Sequence, residues 1–118
     1  MNLGKNYLTL SHKIELYLPT RTVTHDPIDE SVLHVLRDKL ARQLSAMFGG
    51  ATVTPAVGFY ENHALGGLQL EDVEILFSYA KSLSREQAHE LIKMAEEVKK
   101  TLSQESVMIV FNGKAILV

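Results

Sequence analysis

Two stretches of helical periodicity, far apart in the chain, constrain this sequence more than anything else in it. Ile28, Val32, Leu36, Leu40, Leu44 and Phe48 recur every four residues, with Val35 and Met47 beside them, and predict a helix with one apolar stripe. Ala88, Leu91, Ile92, Ala95, Val98 and Leu102 predict a second. Each needs an apolar surface to lie on, and the chain before, between and after them reads as strand. Asp26-Pro27 is expected to open the first helix, with aspartate as N-cap, proline at the first helical position, and Asp29 and Glu30 favouring the positive end. Ser84, with Gln87 three positions later, forms the capping box of the second.

The strands follow from alternation. In residues 8–18, LTLSHKIELYL, Leu8, Leu10, His12, Ile14, Leu16 and Leu18 face one way and the polar residues and Tyr17 the other, until Pro19 closes the run. A second strand spans roughly Ala51 to Glu61. Pro55 inside it cannot donate a ladder hydrogen bond and marks an edge strand or a bulge, while Gly58 suggests a bulge or a close approach. The connection NHALGGLQL is long for a tight hairpin, and a third strand runs through Val73, Ile75, Phe77 and Tyr79. At the end, Asn112-Gly113 between two apolar runs signals a hairpin. The order is β-α-β-β-α-β with an extra C-terminal strand folded back. That predicts an α+β, ferredoxin-like single domain across residues 1–118, an antiparallel sheet with two helices on one face.

The pair Gly49-Gly50 raises the possibility of a phosphate-binding loop. It follows a helix instead of preceding one, however. A helix C-terminus presents carbonyls and negative partial charge, so this pair is read as a helix stop with a left-handed residue.

One resemblance is carried by four segments: Phe48, Gly50, Thr52 and Val53; Gly58 and Tyr60; Glu71; and Gln104 to Val107. In order and spacing they resemble a family of small bacterial proteins that carry a domain of unknown function. The similarity covers roughly residues 48–110. It implies the fold and brings no activity or catalytic residue with it.

Composition removes several classes of chemistry. The chain has no cysteine, which excludes disulfides, thiolate metal sites and a cysteine nucleophile. Its formal charge of −2 gives no footprint for nucleic acid. The strand VEILFSYA also lacks the Lys/Arg-Gly-Phe motif of an RNA-recognition sheet, so no nucleic-acid partner is expected. The apolar run in MNLGKNYLTLSHK is too broken for a signal-peptide core, and no window approaches a membrane span. A cytoplasmic location is the expectation, without a membrane partner.

The candidate chemical residues are few. The five histidines show no metal-helix spacing; His12 is read as a sheet-end residue with a satisfied hydrogen bond, and His34 and His89 as solvated helix positions. Glu61, His63 and Glu71 bracket the glycine-rich connection 61–72 and are the candidates for general-base or divalent-metal chemistry, although no cofactor or metal is called for. The sheet offers a different feature. If Ile14, Leu16, Val53, Val57, Phe59, Val73, Ile75 and Phe77 face the helices, the other face still carries Tyr17, Ala56, Tyr60, Leu76 and Ala80. Such a mixed apolar face suggests burial against a second copy, a partner or a flat ligand, with Tyr17, Tyr60 and Leu76 as the interface. The favoured reading is a small non-catalytic interaction module, a homo-oligomer assembled through that face. The alternative is a small-molecule or metal-dependent enzyme using residues 61–72.

Overall fold

The structure, a computed structural model, describes residues 7–118. Its elements follow the predicted order: β1 (His12–Pro19), α1 (Glu30–Phe48), β2 (Thr52–Asn62), β3 (Gly67–Ala80), α2 (Arg85–Thr101), β4 (Met108–Phe111) and β5 (Lys114–Leu117), with a 3-10 turn at His63–Leu65. The strands form one antiparallel sheet in the order β2-β3-β1-β4-β5. This is the ferredoxin-like plan with an added edge strand. Pro55 lies on β2, an edge strand as expected, and Asn112 (φ 51°) and Gly113 (φ 85°) make the β4–β5 turn.

Alternation along β1 sends Ile14, Leu16 and Leu18 to the helix side, where all three are fully buried against the inner faces of both helices. Burial of each such side chain contributes roughly 1.5–3 kcal/mol. Ser78 is the buried polar residue of the core, and its hydroxyl donates to the Gly50 carbonyl at 2.7 Å. The glycine pair is thus structural: Gly49 adopts φ 92° and its N–H caps α1 at the Ser45 carbonyl. The Ser84–Gln87 capping box forms as expected.

Four expectations are corrected. Residues 8–11 precede β1 and are exposed, because β3 ends at Ala80 opposite His12 and offers no pairing beyond it. Helix α1 starts at Glu30 with Asp29 as N-cap, not at Asp26-Pro27. The Asp29 carboxylate accepts the Ser31 N–H at 2.8 Å, while Pro27 bridges to Arg21 and the Ile28 N–H donates to the Thr20 carbonyl at 2.9 Å. Residues 20–28 therefore close into a loop of their own. The glycine-rich connection 61–72 is mostly strand, since β2 and β3 stay paired out to Asn62 and Gly67.

The fourth correction concerns the phase of β3. Leu16 pairs with Leu76 and Ile14 with Ser78, which puts Leu76 on the helix side at 0% exposure. Val73, Ile75 and Phe77 consequently lie on the open face. Leu76 is a core residue and cannot serve as an interface. Beyond the helices the β2–β3 ribbon continues alone, and Val57, Phe59, Leu68 and Leu70 on its helix-side face are each more than half exposed.

Candidate functional site

A cleft of about 290 Å³ opens at one end of the uncovered sheet face. Its floor is Tyr17 and Val73; the β2–β3 ribbon supplies Tyr60 and Glu71; the loop 20–28 and the segment after α2 form the outer walls. Strand alternation brings the floor together. Gly58 pairs with Glu71 and Tyr60 with Gln69, so Tyr60 and Glu71 share the open face with Tyr17.

Glu71 ties the cleft to its wall. Its Oε2 accepts the backbone N–H of Thr20 at 3.0 Å and of Arg21 at 3.1 Å. From the other side, Gln104 Nε2 donates to the Arg21 carbonyl at 2.6 Å and the Leu102 carbonyl at 3.0 Å. The Val23 N–H adds a bond to the Ser103 carbonyl at 3.1 Å. Two left-handed residues, His25 (φ 66°) and Ser103 (φ 53°), turn these two segments.

Partial burial in the cleft, and then the charge of Glu71 and the proximity of Tyr17, hold the Tyr60 hydroxyl above the ordinary tyrosine value, although Tyr60 remains 43% exposed. At neutral pH Tyr60 is therefore a neutral hydrogen-bond donor beside a carboxylate. The arrangement offers two phenol rings and one anchored anionic group, which suits a ligand that carries positive charge and apolar surface.

Of the residues singled out from sequence, Tyr17, Tyr60 and Glu71 meet here. Glu61 does not: it pairs with Leu68 and points to the opposite face of the ribbon from Glu71. His63 sits in the turn at the ribbon's tip. Among the described residues no group of three His, Asp or Glu side chains could hold a metal ion. His12 bonds Asn112 at 2.8 Å, and His34 and His89 are exposed on their helices, as expected. The walls, Thr22 to His25 and Gln104 to Val107, carried no catalytic signal in the sequence. Tyr60, Glu71 and the segment Gln104 to Val107 nonetheless converge on this cleft, with Gly58 paired to Glu71 beside it.

No family model matches the chain, and no curated protein matches it. Solved structures do. A phage SAM lyase in complex with S-methyl-5'-thioadenosine is 16% identical with a TM-score of 0.68, over 99% of this chain and 95% of that one. A phage SAM lyase in the apo state is 17% identical with a TM-score of 0.62, over 92% of this chain and 88% of that one. The fold is that of these proteins. Both neighbours are enzymes, which overturns the expectation of a non-catalytic interaction module and, with Leu76 buried in the core, removes the arrangement that supported it.

Proposed function

We propose that this chain is a small-molecule enzyme that binds a sulfonium nucleoside of the S-adenosylmethionine kind in the Tyr17–Tyr60–Glu71 cleft and cleaves it as a lyase. The observation that carries the reading is the anchored Glu71 carboxylate beside two phenol rings, on a fold shared end to end with SAM lyases. A sulfonium is a cation wrapped in apolar groups. A carboxylate and the faces of Tyr17 and Tyr60 attract it together. The cleft, at about 290 Å³, lies just under the usual range of roughly 300–1,000 Å³ for ligand sites.

The chemistry needs little. When the bond from sulfur to the amino-acid chain breaks, its electron pair goes to sulfur, which leaves as a neutral thioether without needing a proton. The carbon is satisfied within the same molecule by its own carboxylate oxygen, which forms the new C–O bond as the C–S bond breaks, so no proton has to be taken up or released. Charge on sulfur falls in the transition state, so pairing it with Glu71 strengthens binding more than it speeds cleavage. Acceleration then comes from holding the chain in one geometry and excluding water, which is the work of the locked walls.

Incubation with S-adenosylmethionine, followed by chromatography for S-methyl-5'-thioadenosine, tests the reading. Release of that product by the wild-type chain and its loss in Glu71→Ala are expected. No turnover, together with no thermal shift on adding S-methyl-5'-thioadenosine, would overturn it.

A further inference from the structure

The wall segment after α2 places one side chain in the cleft with its amide nitrogen already taken. Gln104 lines the cleft, and its Nε2 donates to the Arg21 carbonyl at 2.6 Å and to the Leu102 carbonyl at 3.0 Å. A glutamine amide nitrogen carries two hydrogens, and these bonds use both. The two carbonyl partners also fix which branch of the amide is nitrogen, because an oxygen there would face two other acceptors. What Gln104 keeps for a ligand is its oxygen, an acceptor. Glu71 is alike in this respect: its Oε2 accepts two wall amides, and an ionised carboxylate can only accept. The two side chains hold the two ends of Arg21, Glu71 at its N–H and Gln104 at its carbonyl, so they stand on either side of one wall residue.

The charges around them have one sign. Glu71 and Glu105 line the cleft, and among the described lining residues there is no lysine or arginine. Arg21 turns its guanidinium to the His25 carbonyl, with Nη1 donating at 3.1 Å. A ligand is therefore received here by its N–H and cationic groups, while a carboxylate meets no counter-charge.

We propose, on the sulfonium-nucleoside reading of this cleft, that Gln104 is a specificity-determining residue whose amide oxygen accepts an N–H of the substrate's α-ammonium. In S-adenosylmethionine that ammonium lies three carbons from sulfur. With sulfur beside Glu71, the amino-acid chain runs past Arg21 to Gln104. Its carboxylate is left unpaired, and so keeps the lone pair that displaces sulfur. Gln104 suits this place better than its neighbour Glu105. Gln104 is half-buried and locked by its two bonds, whereas Glu105 is exposed and its charge is screened by water.

Two sulfonium nucleosides without the carboxylate, which cannot be cleaved by it, separate this role from wall-building. One is decarboxylated S-adenosylmethionine, with an aminopropyl chain; the other carries a plain propyl chain. By calorimetry the wild type should bind the aminopropyl ligand about tenfold or more tightly than the propyl one. Gln104→Met keeps the length of the side chain and removes the acceptor, and circular dichroism checks its fold. Its affinity for the aminopropyl ligand should fall until the two ligands bind alike, whereas a wall that had only loosened would weaken both in parallel. Equal affinities in the wild type would overturn the proposal without recourse to any variant. So would a preference that survives in Gln104→Met, or one that disappears in Glu105→Gln instead, which would give the ammonium to Glu105. In each of these cases binding of the propyl sulfonium leaves the sulfonium reading standing. Failure of both ligands to bind the wild type ends that reading and this proposal together.

Discussion

The ring of Tyr60 occupies the space that a side chain at Gly58 would need: a Cβ built on Gly58 clashes with the edge of the Tyr60 ring and its hydroxyl. Gly58 has no left-handed backbone to explain its presence, so close approach is its reason. The glycine lets Tyr60 fold back along its own strand toward Glu71, the residue paired with Gly58.

Gly58→Ala should therefore displace the Tyr60 ring and leave the fold intact, because alanine suits a strand interior better than glycine. We expect binding of S-methyl-5'-thioadenosine to weaken by about tenfold, ~1.4 kcal/mol. Calorimetry on Gly58→Ala and Tyr60→Ala should give similar losses. Wild-type affinity in Gly58→Ala would show that the ring position does not matter.

Glu71 does two separable things. Glu71→Gln keeps an oxygen to accept the Thr20 and Arg21 N–H groups, so stability should change by less than about 0.5 kcal/mol while affinity for a sulfonium falls. Glu71→Ala leaves those two donors unpartnered, and urea denaturation should show a loss of about 1–3 kcal/mol. Equal stability of the two variants would mean the clamp contributes nothing.

The raised Tyr60 hydroxyl makes stability pH-dependent at the alkaline end. Its proton is held more tightly in the folded chain than in the unfolded one, so the stabilisation is complete below the unfolded value near 10 and is lost as pH rises through the folded value. Thermal melts from pH 8 to 11.5 should fall more gently for Tyr60→Phe than for wild type. Parallel curves would remove Tyr60 as the cause.

Leu76→Ala should behave as a core deletion and cost about 2–5 kcal/mol. Chemical denaturation of the purified variant checks this. A soluble variant of wild-type stability would contradict the register that places Leu76 against Leu16.

How far the sequence could be read depended on the range of the forces involved. The Ser84–Gln87 box, the Gly49 stop and the Asn112-Gly113 turn are local, and each was legible because its chemistry lies within a few residues. The phase of β3 was not. VEILFSYA is apolar on both faces, and only pairing with Leu16 decides which side Leu76 takes. Asp26 and Asp29 both suit an N-cap, and the choice fell to bonds between Thr20 and Ile28 that no helix rule contains. Glu71, Tyr17 and Tyr60 were visible as residue types, Glu71 for chemistry and the tyrosines as surface. What joined them, and excluded Glu61, was strand register. The outer wall was hidden for a further reason: Gln104 and Arg21 lie 83 positions apart.

Glu71 and Gln104 grip Arg21 through its amide and its carbonyl, and Val23 is held by its amide. None of these bonds reads a side chain on the loop. Val23, which faces the cleft, can be exchanged for other residues without undoing the grip, whereas the Thr22 hydroxyl accepts the Asp26 N–H and His25 holds the left-handed turn. The scaffold thus separates the shape of its entrance from the entrance's chemical lettering. Substitutions at Val23 would rewrite what the cleft admits while the frame around it stays put.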